Sequence, residues 1–405
     1  LRFERFIRRI EVAFHPDESG RERDLDELSD GQRSLFQLAL TAATLDVETG
    51  LASDDDGFDP GAFMIPALTI LAIEEPENNL APFFLSRIIH EVQGLTSSAA
   101  VQAVISSHSA SILGRVAPEQ VRYFRLKEKK RTASVRAIEL PAGVEDASKY
   151  IREAIRAYPE MYFARFVILG EGASEEIVIP RLAEAMGFAV DRSFVAVVPL
   201  GGRHVNHLWK LLRALDIPYA TLLDIDCGRA GGGWGRIKTA FDQLLASGVK
   251  RESVAPEGWD DDFQKTLDAL DPDDSESEQL RWTRALEAHG VYFAWPLDLD
   301  LSMLHAFPSE YRVLESGRRG PKATADAAKE AALGTEGDPD EFGSDWDDDF
   351  RWYSYLFLGR GKPSTHIRVL SELSPEKLAK DAPKELRDLI KYVTDKLELK
   401  AGTLP

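Results

Sequence analysis

Between residues 165 and 245 the chain alternates short apolar runs with amphipathic stretches, and that alternation leaves few folds open. Residues 165–169, 194–200 and 219–223 are compact apolar runs, while 175–186, 205–215 and 237–245 have helical spacing. Strands that alternate with helices predict an α/β fold, a parallel sheet with helices on its faces. Parallel strands bring their C-terminal ends to one edge, where open α/β sheets bind ligands. Acidic residues fall at that edge. Glu171 and Glu175 follow the first run, Asp224 and Asp226 end the third, and Asp298 and Asp300 close a further apolar run that begins at Val291 and is read as a strand ending in acids. Gly170 and Gly172 flank the first acid and allow a sharp turn there.

Carboxylates crowded at one edge repel each other by about 1 kcal/mol per close pair in water, and by several times that in a protein-like dielectric. A divalent cation removes the repulsion, and hard cations prefer oxygen ligands. Glu171, Glu175, Asp224, Asp226, Asp298 and Asp300 are therefore the expected metal ligands. Six carboxylates suit a pair of Mg²⁺ or Mn²⁺ ions, the arrangement that phosphoryl transfer uses. An acid in a first helical turn also has a simpler explanation, which applies to Glu175.

The rest of the chain sets bounds. Its 405 residues suffice for two or three domains, and its formal charge of −19 speaks against a general nucleic-acid coat protein, though not against an enzyme with a local basic patch. No apolar run reaches the length of a membrane span, no signal peptide is evident, and a single cysteine, Cys227, excludes an internal disulfide framework. A cytoplasmic protein without a membrane partner is expected. The acidic runs 54–56, 260–262, 271–278 and 345–349 read as solvated loops. Residues 68–73 and 100–105 read as buried strands, 121–126 as an alternating strand before a basic turn, and 148–157 as a helix. Residues 306–405 are mostly helical in pattern.

The segments 166–175 and 221–226 resemble the Toprim domain shared by topoisomerases, primases and a class of nucleases. The second glutamate, in Gly170-Glu171-Gly-Ala-Ser-Glu175, resembles the nuclease branch known as the overcoming-lysogenization-defect (OLD) family. In that family a Toprim domain follows an ABC-type ATPase, and the resemblance implies DNA cleavage by two-metal catalysis, with Asp298 and Asp300 serving the second metal. It also implies a lysine in the region of Gly359-Arg-Gly-Lys362, so Lys362 joins Glu171 and Asp224 as a catalytic candidate. This segment lacks the spacing of a phosphate-binding P-loop.

The N-terminal part resembles an ABC-type ATPase in three places. Leu28-Ser29-Asp-Gly31-Gln32 resembles the signature motif, Ile73-Glu74-Glu75-Pro a Walker B end with Glu in place of the usual Asp, and His108 the switch histidine. Ser29, Gly31, Gln32, Glu74, Glu75 and His108 are thus the nucleotide-site candidates. No Gly-x-x-x-x-Gly-Lys-[Ser/Thr] occurs, so the chain is expected to begin after Walker A and not to hydrolyse ATP alone. ATP binding and homodimerisation belong to the intact protein.

The domains expected are a partial ATPase over 1–145, a helical connector over 146–164, a Toprim catalytic domain over 165–305 and a helical region over 306–405 that completes the nuclease site. The leading reading is a metal-dependent DNA endonuclease. A topoisomerase- or primase-like enzyme is the alternative, although one cysteine excludes a Cys-rich zinc module and Tyr158, Tyr162 and Tyr353 lack the context of a nucleophile. A non-catalytic ABC-type regulatory fragment is the third reading.

Overall fold

The computed structural model describes residues 24–52, 66–78, 80–127, 131–138, 145–199, 205–254, 276–314, 317, 319–359 and 361–398. The acidic runs 54–56 and 260–262 and most of the basic turn after residue 127 lie outside them. The chain divides into two compact units, Leu1–Ala117 and Pro118–Pro405, upstream of the boundary expected at 145.

In the first unit, α1 (Asp30–Ala52) follows a serine cap: Gln32 N–H donates to Ser29 Oγ at 3.3 Å and Ser29 N–H to Gln32 Oε1 at 3.0 Å. Strand β1 (Thr69–Glu74) runs parallel to β2 (Val101–Ser106), with α2 (Pro82–Leu95) as the crossover. The sequence predicts fully buried strands here. Instead one face of the pair is open among the described residues, with Ile70 59% and Val104 62% exposed. The apolar runs identified the strands, but burial depends on what covers the sheet.

The second unit opens with an antiparallel hairpin, β3 (Arg122–Lys127) and β4 (Thr132–Ala137), and a helix, α3 (Glu145–Ala157). The predicted alternation then follows: β5 (Phe166–Gly170), α4 (Ala173–Ala185), β6 (Val195–Pro199), α5 (Val205–Ala214), β7 (Tyr219–Asp224) and α6 (Trp234–Ala246); a helix that the sequence reading does not include, α7 (Glu276–Glu287), precedes β8 (Val291–Ala294). The strands form one parallel sheet in the order β6–β5–β7–β8. The chain moves to one side of β5 for β6 and to the other side for β7, so the topological switch point lies between β5 and β7. Phe166, Val167, Ile168 and Leu169 have no exposed surface, as a strand covered on both faces requires.

The residues after β8 depart from expectation. The strand stops at Ala294, before the acids. A Trp295–Pro296 cis peptide turns the chain, and Asp298 becomes the N-cap of α8 (Leu299–Ala306), with Asp300 in its first turn. Asp298 accepts the Leu301 N–H at 3.0 Å, so its cap bond ends the extended backbone that the apolar run favours.

The C-terminal region is helical, as predicted: α9 (Ala325–Leu333), α10 (Asp347–Tyr353), α11 (Lys362–Glu372), α12 (Pro375–Asp381) and α13 (Lys384–Lys396). Helices α11 and α12 pack on α4, α10 packs on α8, and α13 packs on β7 and β8, so this region covers the sheet and its acid-bearing edge. Two acidic runs read as solvated loops need correction. Glu276 to Glu278 open α7, and Asp349 is buried in α10, where it holds His305 Nδ1 at 2.9 Å and Arg312 Nη2 at 2.6 Å. A guanidinium and an imidazole facing one carboxylate make its burial tolerable, and local acidity does not reveal that partnership.

Candidate functional site

Five chain segments bring the predicted acids together. Glu171 leaves β5 at the switch point and Asp224 ends β7 beside it; the Asp224 N–H donates to Glu171 Oε1 at 3.0 Å. Gly170 is required for space rather than for a special turn, since a Cβ there would lie 2.6 Å from the Cβ of Glu175. That close approach lets Glu175, buried in the first turn of α4, fold back onto the Gly172 N–H at 2.8 Å. The simpler role of a first-turn acid therefore holds for Glu175, and it does so inside the cluster.

Asp226 adopts a left-handed backbone, φ 57°, which Asp tolerates better than most residues. The following glycine-rich loop closes onto it: a Cβ at Gly232 would lie 1.7 Å from the Asp226 carbonyl oxygen. This loop delivers Arg229 and the start of α6 delivers Arg236. Arg229 Nη1 meets Asp226 Oδ1 at 2.5 Å, and its Nη2 reaches Asp298 Oδ2 at 3.3 Å. Arg236 Nε donates to Asp226 Oδ2 at 2.7 Å, and its Nη2 donates to Glu171 Oε2 at 3.3 Å.

Asp298 and Asp300, both buried, complete the cluster from α8. Asp224 Oδ1 accepts the Leu299 N–H at 3.2 Å, joining β7 to the start of that helix. Tyr353, at the end of α10, donates its hydroxyl to Asp298 Oδ2 at 2.5 Å. Lys362 is the first residue of α11, and its Nζ lies 2.5 Å from Asp300 Oδ2 and 3.8 Å from Asp298 Oδ2. His366, one turn later, places Nε2 2.7 Å from Asp300 Oδ1, and Ser174 Oγ donates to the same oxygen at 2.6 Å. Tyr311 Oη lies 2.6 Å from His366 Nδ1. Arg229, Arg236, Ser174, Tyr311 and His366 are not among the residues that the sequence singles out, and Tyr353 enters the site although its sequence context is not that of a nucleophile. The basic, glycine-rich stretch 228–236 carried a local signal. The others are brought in by packing over more than 50 residues, which leaves no local trace.

The electrostatics divide the acids. Burial raises the proton affinity of Asp224, and the charges of Asp298, Glu171, Glu175 and Asp226 raise it further. Burial also pushes Glu175 up, to about 7. Glu171 rises by burial although Arg236 opposes it, and Asp298 rises by burial and the charge of Asp300 against Lys362 and Arg229. Burial acts in the same sense on Asp300, but His366 and Lys362 outweigh it and hold this carboxyl down at about 2. Burial disfavours the Lys362 cation, yet Asp300 and Asp298 raise its pKa.

Among the described residues, no three His, Cys, Asp or Glu side chains stand as a ready metal cage. Arg229, Arg236 and Lys362 occupy oxygens that a cation would use. The oxygen-only donor set nonetheless suits a hard divalent ion, and the mutual repulsion at Asp224 is the strain that such an ion relieves.

In the first unit, Glu74 ends β1 and Glu75 follows with a left-handed backbone, φ 45°. Glu75 Oε1 lies 3.0 Å from His108 Nδ1, and Asn78 Nδ2 donates to Glu75 Oε2 at 2.6 Å. Glu75 and His108 are thus brought together. Ser29, Gly31 and Gln32 sit at the start of α1.

Comparison with known proteins gives matches in both units. Residues 162–226 match the family model of the overcoming-lysogenization-defect-protein-like Toprim domain, and residues 2–114 match that of an AAA domain described as a putative AbiEii toxin of a type IV toxin–antitoxin system. The uncharacterized protein YbjD of Escherichia coli strain K12 is 28% identical over 160 residues, 40% of this chain and 28% of the relative's own length. The C-terminal region of the Burkholderia pseudomallei OLD protein is 18% identical, covers 58% of this chain and 99% of that one, and has a TM-score of 0.37. The corresponding region from Xanthomonas campestris pv. campestris is 20% identical over 59% of this chain and 96% of that one, with a TM-score of 0.35. Among the described residues, no helix is long and apolar enough to cross a membrane.

Proposed function

Starting from an OLD-like Toprim domain that follows an AAA-type ATPase-like domain, we propose that this chain is a metal-dependent DNA endonuclease. The observation that carries the reading is the convergence of six carboxylates and one lysine on the switch-point edge of a single parallel sheet. Glu171, Glu175, Asp224, Asp226, Asp298 and Asp300 are the residues that would hold Mg²⁺ or Mn²⁺. When bound, two such ions supply an activated water and stabilise the leaving oxygen of a phosphodiester.

The chain's own residues do the rest. The Lys362 side chain is 42% exposed, which leaves its ammonium within reach of a scissile phosphate while Asp300 fixes its place. Arg229 and Arg236 neutralise the acids and, once released, can pair with phosphate oxygens in a bidentate way. Tyr353 is fully buried with its hydroxyl committed to Asp298, so it is not presented to DNA as a nucleophile; this disfavours the topoisomerase reading.

We also propose that Ser29, Gly31, Gln32, Glu74, Glu75 and His108 of the first unit belong to an ATP site that a second copy completes. The contact between Glu75 and His108 supports that reading, since it orients an acid suited to positioning the hydrolytic water.

The test is incubation of supercoiled plasmid with the protein in Mg²⁺, Mn²⁺, Ca²⁺ or EDTA. Nicked or linear product in Mg²⁺ or Mn²⁺ alone, lost in Asp224→Ala, is expected. Cleavage that survives in EDTA or in Asp224→Ala overturns the reading. No cleavage, with and without ATP, favours the regulatory fragment.

A further inference from the structure

Helix α11 carries more than Lys362. His366 lies four residues on and thus on the same face, and the two side chains hold opposite oxygens of Asp300: Lys362 at Oδ2, His366 at Oδ1. We propose that His366, backed by Tyr311 and Ser174, is a positioning residue that divides the oxygens of Asp300 into one anchored atom and one working atom. The inference rests on the reading of Asp300 as an active carboxylate.

Oδ1 is saturated. It accepts Ser174 Oγ at 2.6 Å and faces His366 Nε2 at 2.7 Å, all within a buried environment. Among the described residues, Oδ2 faces Lys362, which is open to the site. The imidazole is held in turn. Its Nδ1 lies 2.6 Å from Tyr311 Oη, its face stacks on Phe357 at 5.2 Å, and its edge meets Tyr311 at 5.7 Å. His366 has no exposed surface.

A carboxylate only accepts hydrogen bonds, so Nε2 must carry the proton. Nδ1 then faces the Tyr311 hydroxyl at 2.6 Å, and where it is unprotonated it accepts from that hydroxyl. Burial and the charge of Asp300 hold that phenol protonated. Tyr311, His366 and Asp300 therefore form one directed chain of donors. Without it, Asp300 would rotate and offer either oxygen to Lys362 or to a cation, and the spacing of the working groups would vary.

The first measurement is the ¹⁵N spectrum of the His366 ring in the wild type, without metal. The expected result is a protonated Nε2 and an accepting Nδ1, with the Nε2 signal displaced in Asp300→Asn. The reversed tautomer, or indifference to Asp300→Asn, overturns the inference whether or not the protein cleaves DNA. The second compares His366→Leu, His366→Gln and Tyr311→Phe in Mn²⁺ calorimetry and plasmid cleavage. Loss of an outer partner costs about 10–100-fold in metal affinity or activity. His366→Leu is expected to lose that much Mn²⁺ affinity and kcat while KM for plasmid stays within about twofold. His366→Gln, which keeps a donor at the Nε2 position, is expected to recover most of the loss, and Tyr311→Phe to lose less. A folded His366→Leu with unchanged Mn²⁺ affinity, or a His366→Gln as impaired as His366→Leu, overturns it. If only cleavage is absent from the wild type, the nuclease reading fails, while the tautomer and Mn²⁺ affinity still decide the role of His366.

Discussion

Replacing Glu175 with Gln should make the protein more stable, and the gain should depend on pH. Glu175 is buried beside Glu171 and Asp300, and its proton affinity rises from the ordinary 4.5 to about 7. Each tenfold change in proton affinity is about 1.4 kcal/mol, so keeping this side chain charged in the folded state costs about 3 kcal/mol. Because the folded protein binds the proton more tightly than the unfolded chain, the penalty is fully present above pH 7. It shrinks as pH falls and is gone below 4.5. Glutamine carries no charge and retains an oxygen to accept the Gly172 N–H, a 2.8 Å bond in the wild type. Urea unfolding in EDTA, followed by circular dichroism from pH 4.5 to 8.5, should show Glu175→Gln more stable by about 3 kcal/mol at pH 8 and equal to the wild type near pH 4.5. Saturating Mg²⁺ should erase the advantage by stabilising only the wild-type cluster. A variant less stable at pH 8, or a difference that does not change with pH, would refute the account of Glu175 as a buried charge held up by desolvation and neighbouring acids.

Three further outcomes are expected. Lys362→Ala should lower the cleavage rate by about 10²–10³ with little change in plasmid KM, since it removes one charge aimed at the developing negative charge; single-turnover kinetics measure this. Arg236→Ala should tighten Mn²⁺ binding in calorimetry while weakening DNA retention in filter binding, because this arginine competes for Glu171 and Asp226 oxygens. Weaker Mn²⁺ binding in that variant would show that the arginine builds the site rather than guarding it. Asp349→Ala should destabilise the protein by about 1–3 kcal/mol in urea unfolding, since it strips Arg312 and His305 of their shared acceptor.

The site and its cover were legible to different degrees. Strands β5 and β7 and the acids that follow them could be read locally, because a covered parallel strand is a continuous apolar run and its end is where polar residues resume. The sequence shows Asp298 and Asp300 but places them on a strand, since the apolar run through Pro296 and Leu297 hides a helix cap that depends on the Asp298 side chain turning back. In the sequence Asp349 is one more acid of a solvated run, because the arginine and the histidine that it holds come from other elements.

The sequence by itself determined the α/β alternation, the glutamates of Gly170-Glu171-Gly-Ala-Ser-Glu175, the aspartates at the end of β7 and the lysine that opens α11. Each is a short-range pattern of hydrophobicity, turn residues and charge. The tertiary structure alone decided which charges answer those acids. Ser174 and Asp300 are 126 residues apart, and Asp300 and His366 are 66 apart. Such partners are selected by the packing of α8, α10 and α11 over the sheet edge. A buried carboxylate needs some donor, but only the folded chain shows which side chain supplies it and from which direction.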